Sequence, residues 1–271
     1  MKIFKHKINL QKELTSVKNL SFVPTMGGLH KGHEYLISQS RKKGKKVLVS
    51  IYVNPKQFNS KNDYLSYPRN LKKDINILKK LKIDYLYTPK FNDLYNFKPK
   101  KKVFLHNFSK KLCGKHRKGH FNGVLNVVNR MVEIINPKYI YLGMKDFQQL
   151  YLIKKHIINS KISTKVIGCR TIRNKFGVAE SSRNINLNKK DMNIASNVYQ
   201  YLKKQKKILI NKKINKLNSI FLKKKIYSLG VKKIDYIDFY NNDALQIKTT
   251  NKKFNIFIAY YINDVRLIDN I

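Results

Sequence analysis

LSFVPTMGGLHKGHEYLISQSRKKGKKVLVSIYV, residues 20–53, reads as strand, glycine turn, helix and strand in succession. Residues 20–24 are a short apolar run that stops at Thr25-Met26-Gly27-Gly28. Residues 33–43 carry Tyr35, Leu36 and Ile37 near their start and Gly44 just past their end, which predicts a helix. Residues 47–53, VLVSIYV, form a nearly unbroken apolar, β-branched run. Such a run is expected of a parallel strand covered on both faces, because neither face then needs polar side chains.

The alternation continues outward. Pro68 sits where a helix could begin, Leu71, Ile75, Leu78 and Leu81 recur at helical spacing, and residues 83–87 read as another short strand. Val124, Val127, Val128, Met131, Ile134 and Ile135 line one buried helix face, halted by Asn136-Pro137. Residues 139–142 read as a strand, 146–158 as a helix and 165–169 as a strand. Strands alternating with helices through short connections predict an α/β fold, a Rossmann-like parallel sheet with helices on both faces. That domain is expected to span residues 1–171. The character changes near 172. Two Lys-rich amphipathic helices follow, lined by Ile194, Val198, Leu202 and Leu209, then by Ile214, Leu217 and Phe221, with Gly230 ending the pair. Residues 234–240 and 254–262 read as strands. Residues 172–271 are therefore expected to form a smaller C-terminal α+β lid domain.

Composition removes several function classes. The 271 residues leave room for one large domain or two modest ones. Lys and Arg number 58 against 15 Asp and Glu, a net charge of +43. Almost all of that charge is Lys, spread along the whole length, in a chain rich in Ile and Asn and without Trp. All three favoured residues have A/T-rich codons. A solvated basic surface is the reading preferred over a nucleic-acid platform, which needs clustered charge with interleaved aromatics. Cys113 and Cys169 are too few for a disulfide-stapled domain or a multi-cysteine zinc site. The start lacks a continuous apolar h-region, and no apolar run approaches the ~18–20 residues that span a bilayer. A soluble, cytoplasmic protein with no membrane partner is expected.

Three stretches carry chemistry. PTMGGLHKGH (24–33) joins a strand to a helix. Its glycines let backbone approach a ligand, and His30 and His33 stand at a helix entrance, where unpaired N–H groups attract phosphate. No P-loop pattern occurs, so the His-x-Gly-His signature of nucleotidyl transfer is the better reading. An ordinary turn pair or a stray metal pair is the plain alternative. GMKDFQQL (143–150) lies at another strand-to-helix junction. Lys145 suits polyphosphate, Asp146 a ribose hydroxyl or Mg²⁺, and Gln149 a hydroxy acid. A surface Lys-Asp pair is the alternative there. ESSRN (180–184) offers Ser181, Ser182 and the Arg183 guanidinium to phosphate oxygens, or is simply a Ser-rich turn. Gln57, after strand 47–53, should stand at the carboxyl edge of the sheet, where open α/β sheets bind ligands. Arg117 and His120 add further positive charge, with a satisfied structural histidine the equal alternative for His120.

PTMGGLHKGH, VSIYVNPKQF, YPRNLKKD, KGHFNGVLNVV, YLGMKDFQQL and GVAESSRN follow one order and spacing. In them the chain resembles the pantoate–β-alanine ligases (pantothenate synthetases) of the HxGH nucleotidyltransferase superfamily, over about residues 20 to 190. The resemblance implies a two-step reaction of pantothenate and coenzyme A biosynthesis. The carboxylate of (R)-pantoate attacks the α-phosphorus of ATP, giving pantoyl adenylate and pyrophosphate. The amine of β-alanine then displaces AMP to give pantothenate. It further implies that His33, His30, Lys145 and Arg183 are catalytic, as cationic groups that neutralise the charge moving to pyrophosphate, with His33 the proton donor to the departing phosphate. Met26, Gly27, Gly28, Leu29, His30, Lys31, Gly32, His33, Gly143, Met144, Lys145, Asp146, Ile172, Glu180, Ser181, Ser182 and Arg183 would bind ATP. Gln57 and Gln149 would hold pantoate, with Gln57 reaching toward β-alanine. Mg²⁺ would arrive with the triphosphate, its protein ligands not evident, and the enzyme would be a homodimer. Three residues depart from the family pattern: Lys31 and Met144 replace acidic or polar residues, and Glu180 replaces Met or Leu. Glu180 sets negative charge near the triphosphate, either paired with a lysine or weakening ATP binding, which predicts slower or weaker activity before lost activity. The competing enzyme reading is another HxGH nucleotidyltransferase with a different acceptor. Gln57 and Gln149 separate the two.

Overall fold

The computed structural model describes residues 1–210, 216–241 and 254–271. The chain divides into two units, Met1–Thr171 and Ile172–Ile271.

The first unit holds six strands: β1 (Lys2–Phe4), β2 (Leu20–Thr25), β3 (Lys46–Ile51), β4 (Tyr85–Tyr87), β5 (Tyr139–Gly143) and β6 (Lys165–Cys169). They form one parallel sheet in the order β1-β4-β3-β2-β5-β6. Helices α1 (Lys7–Leu14), α2 (Lys31–Arg41), α3 (Lys61–Leu65), α4 (Leu71–Lys80), α5 (Phe91–Tyr95), α6 (Leu112–His116), α7 (His120–Ile135) and α8 (Phe147–Asn159) connect them. Alternate residues of β3 point to opposite faces. Val47 and Val49 pack with Ile37 of α2 and Leu78 of α4, whereas Ser50 meets Met131 of α7. Helices therefore cover both faces, and the continuous apolar strand pattern follows from that. From β2 the chain winds outward through β3 and β4, and β5 and β6 continue on the other side of β2. The winding reverses between β2 and β5, and at such a switch the carboxyl ends of two neighbouring strands open a crevice.

Two expectations are corrected. The second helix starts at Lys31, not 33, because His30 caps it: the His30 side chain accepts the Gly32 N–H while the His33 side chain accepts the His30 N–H. The helix after Pro68 starts at Leu71, capped by Asn70, whose side chain accepts the Lys73 N–H. Strand β1 and helix α1 had no sequence expectation.

The second unit holds α9 (Lys189–Leu209), α10 (Lys216–Ser228) and three antiparallel strands, β7 (Lys233–Tyr240), β8 (Asn255–Ile262) and β9 (Val265–Asn270). Strand β9 is an addition to the two expected. Ala195, Val198, Leu202, Leu222, Ile226, Ile256 and Ile258 build its core. On α10 the buried stripe is rotated from the expected one. Leu222 and Ile226 are buried, while Leu217 and Phe221 are 58% and 69% exposed. Ile214 lies outside the described residues. Among the described residues no helix is long and apolar enough to cross a membrane.

Candidate active site

Strand β2 delivers the glycine turn to the crevice. The Thr25 hydroxyl donates to the Ser50 carbonyl at 2.7 Å and accepts the Gly27 N–H at 3.2 Å. Gly27 and Gly28 have φ of 77° and 60°, left-handed values that a side chain would disfavour. The Gly28 and Leu29 N–H groups, which the glycine reading would offer to a ligand, donate instead to the buried Asp74 carboxylate at 2.9 and 2.8 Å. The glycines thus shape this turn more than they open it.

His30 and His33 come together with ring centroids 4.1 Å apart. The Gly32 N–H donates to His30 Nδ1 at 3.1 Å, and the His30 N–H to His33 Nδ1 at 3.4 Å. Both Nδ1 atoms therefore present lone pairs, and in each neutral ring the proton sits on Nε2. No partner within the described residues of this unit meets either Nε2. Burial, then the His33 and Lys145 charges, push the His30 pKa down to about 2. Burial likewise lowers His33 to about 4, helped by Lys145 and opposed by Asp146. At neutral pH both are uncharged N–H donors, which corrects the picture of two cationic imidazoles.

Lys145 and Asp146 follow β5, the other strand of the switch point, on the short turn Met144–Asp146. The ammonium lies 3.8 Å from the Asp146 carboxylate, and its side chain is 18% exposed. Its charge acts on both imidazoles, so the two motifs lie within electrostatic reach of each other. On α8 the adjacent glutamines divide. Gln148 is buried, taking the Cys113 N–H at 3.1 Å and donating to the Phe108 and Lys111 carbonyls at 2.8 Å. Gln149 is half-buried at the helix's first turn.

Gln57 leaves β3 and meets the same turn, its Nε2 donating to Met26 Sδ at 2.8 Å. Three further residues hold it. Asn54 Nδ2 donates to its Oε1 at 3.3 Å. His120 Nδ1 and Arg117 Nη2 donate to its backbone carbonyl at 2.7 and 3.3 Å. His120 Nε2 then receives Arg117 Nη1 at 3.2 Å, so of the two readings of His120 the structural one stands. Gly123 lets α7 pass beneath, since a Cβ there would lie 2.1 Å from the Lys56 carbonyl oxygen.

The remaining expected residues belong to the second unit. Glu180 donates its N–H to the Ile172 carbonyl at 2.9 Å. Ser181 caps the short turn Ser182–Asn186, its hydroxyl oxygen accepting the Arg183 N–H at 3.3 Å. Its O–H remains able to donate. Glu180, Ser181, Ser182 and Arg183 are all half-buried.

Sequence reasoning assigned no role to Asp74 or Asn54. Asp74 had a usable signal: it falls at the 71, 74, 78, 81 spacing of the apolar stripe, where an unpaired charge is out of place.

The family model for pantoate–β-alanine ligase matches residues 2–271. The chain belongs to that family. A pantothenate synthetase of Flavobacterium psychrophilum is 37% identical over 270 residues, covering 98% of this chain and 95% of the relative. One of Francisella tularensis subsp. novicida is 39% identical over 272 residues, covering 96% and 94%. Among solved structures, the pantoate–β-alanine ligase of Francisella tularensis complexed with β-γ ATP and β-alanine has a TM-score of 0.85 at 37% identity, covering 100% of this chain and 97% of that one. Pantothenate synthetase of Thermus thermophilus has a TM-score of 0.87 at 26% identity, covering 100% and 99%. As a member of the pantoate–β-alanine ligases the chain is an amide-forming enzyme. Lys31 is an exposed side chain at the first turn of α2, and Met144 packs near Gly168.

Proposed function

We propose that this chain condenses (R)-pantoate with β-alanine in two steps, through pantoyl adenylate, with ATP as co-substrate. The observation that carries this is the meeting of His30, His33 and Lys145 at one strand switch point, with both Nε2–H groups uncommitted. Pantoate's carboxylate attacks the α-phosphorus, the bond to the bridging oxygen breaks, and charge moves onto pyrophosphate. Neutral Nε2–H donors and the Lys145 ammonium stabilise that charge, each such donor being worth about 10²–10³ in rate. The polyanion itself raises the His33 pKa, bringing it toward proton donation to the departing phosphate. Gln57, fixed through its carbonyl and its Oε1, and Gln149 orient pantoate beside the phosphorus. The neutral β-alanine amine then attacks the activated carbonyl, AMP leaves with the bonding pair, and the amine nitrogen releases one proton to solvent.

Ile172, Glu180, Ser181, Ser182 and Arg183 remain part of this proposal as ATP residues of the second unit. Among the described residues no three His, Cys, Asp or Glu side chains gather as a metal cage. This suits a Mg²⁺ carried on the triphosphate, with Asp146 the carboxylate at this turn able to touch it. Once bound, Mg²⁺ would neutralise phosphate charge. A homodimer at work in the cytoplasm completes the reading. The test is to incubate the purified chain with ATP, pantoate and β-alanine and identify products. AMP and pyrophosphate should require pantoate, and pantothenate should require all three. Faster turnover with an unrelated acceptor acid would favour another nucleotidyltransferase.

A further inference from the structure

No step above uses Asp74. Its carboxylate is 2% exposed, on the first turns of α4, and both oxygens are engaged by the glycine turn. Oδ2 accepts the Gly28 N–H at 2.9 Å and Oδ1 the Leu29 N–H at 2.8 Å. Gly27 also lies against it, where a Cβ would stand 3.0 Å from Oδ2. An ionised carboxylate taking two backbone N–H groups side by side fixes their direction as well as their place. The next residue is His30. Its N–H meets His33 Nδ1, and its own Nδ1 meets the Gly32 N–H. From Gly28 to His33 the backbone is thus one hydrogen-bonded piece, with Asp74 gripping its leading end.

We propose that Asp74 is a positioning residue for adenylation: by holding Gly28 and Leu29 it orients His30 and His33 so that their Nε2–H groups face the transferring phosphoryl group. This rests on the reading of the site given under Proposed function. Asp74 touches no substrate in this account. Its charge is consumed by the turn.

The decisive variant is Asp74→Asn, which preserves volume but replaces one acceptor by a donor facing a donor. Pantoate-dependent pyrophosphate release should slow by about 10–10²-fold, the scale expected from small misplacement of catalytic groups. The KM for pantoate should stay within about threefold, since Gln57 and Gln149 are not displaced. Aminolysis of pre-formed pantoyl adenylate by β-alanine should keep close to its wild-type rate, because no pyrophosphate departs in that step. Gly27→Ala strikes the same contact from the other side, so its effect should be less than additive with Asp74→Asn. A readout independent of catalysis is the ¹⁵N spectrum of the ligand-free protein with labelled histidine. His30 and His33 should be pure Nε2–H tautomers in the wild type and mixed in Asp74→Asn. Unchanged histidine spectra in Asp74→Asn overturn the proposal whatever the rates. Equal slowing of both half-reactions overturns it too, since that marks a merely structural role. If the wild-type chain makes no pantothenate, the functional reading fails, while the spectra still decide whether Asp74 sets the imidazoles.

Discussion

Two kinds of histidine in the first unit, the half-buried His30 and His33 and the buried His156, differ by one nitrogen. His156 on α8 is fully buried, and its Nδ1 accepts the Phe104 N–H at 3.2 Å. His30 and His33 likewise accept backbone N–H groups on Nδ1. Burial lowers the pKa of all three. The contrast lies at Nε2. That of His156 reaches Asn129 Oδ1 at 3.1 Å, and Asn129 Nδ2 donates onward to the Lys101 carbonyl at 2.7 Å. His156 is therefore satisfied at both nitrogens and ties α7, α8 and the segment around Phe104 together. The other two keep Nε2–H in reserve. A depressed pKa is common to both kinds; what sets apart the histidines proposed for catalysis is an Nε2 with no partner among the described residues.

Exchanging each class for alanine should give opposite phenotypes. His33→Ala should lower kcat by about 10²–10⁴, the range for losing a general acid, while circular dichroism and melting temperature stay near wild type. Turnover close to wild type would refute its role. His156→Ala should leave kcat of the folded protein within about twofold but cost roughly 2–4 kcal/mol of stability, from a cavity and from the stranded Phe104 N–H and Asn129 carbonyl. Denaturant melts measure that loss. A His156→Ala protein with unchanged stability and collapsed kcat would erase the distinction.

Acid should act on both classes in the same direction. A histidine whose folded pKa lies below its ordinary value of 6.5 is protonated first in the unfolded chain. The unfolded state then binds more protons, so stability falls as pH drops below that value. For His33 the loss continues until about 4, where the folded protein begins to take up the proton itself. The melting temperature should therefore fall between about pH 7 and about pH 5, and His33→Gln and His156→Gln should each flatten that fall. An equally steep fall in the double variant would mean that other groups carry the acid sensitivity.

Legibility in the sequence followed how local the cause was. The parallel sheet was readable because residues 47–53 carry their burial on both faces in their own side chains. The histidine pair and Lys145 were readable because each sits where a strand gives way to a turn. Strand β1 is only three residues, held by pairing with β4 more than eighty positions away, and no local pattern announces it. On α10 apolar residues lie on more than one side, so periodicity alone chose Leu217 and Phe221 over Leu222 and Ile226. At the site, Gln148 and Gln149 are chemically identical neighbours, and only the path of residues 108–113 decides which is spent on backbone. The protonation of His30 and His33 was misread because it depends on N–H groups two and three residues away.

The smallest expected effect concerns sulfur. Cys169 ends β6, is 5% exposed, and burial raises its thiol pKa, so it carries no thiolate at neutral pH. Cys113 is 7% exposed on α6, where its backbone N–H, not its sulfur, serves the fold by reaching Gln148. Replacing both by Ser places a hydroxyl in each apolar site, at a cost of about 1 kcal/mol apiece, and should leave kcat unchanged. A stable but inactive double variant would place a thiol in the chemistry. The rule drawn from the histidines would then be incomplete, because a group with no spare donor would have proved essential. Full activity leaves imidazole and ammonium groups as the proton and charge carriers of this unit, which is what the proposed adenylation, with no bond to an enzyme nucleophile, requires.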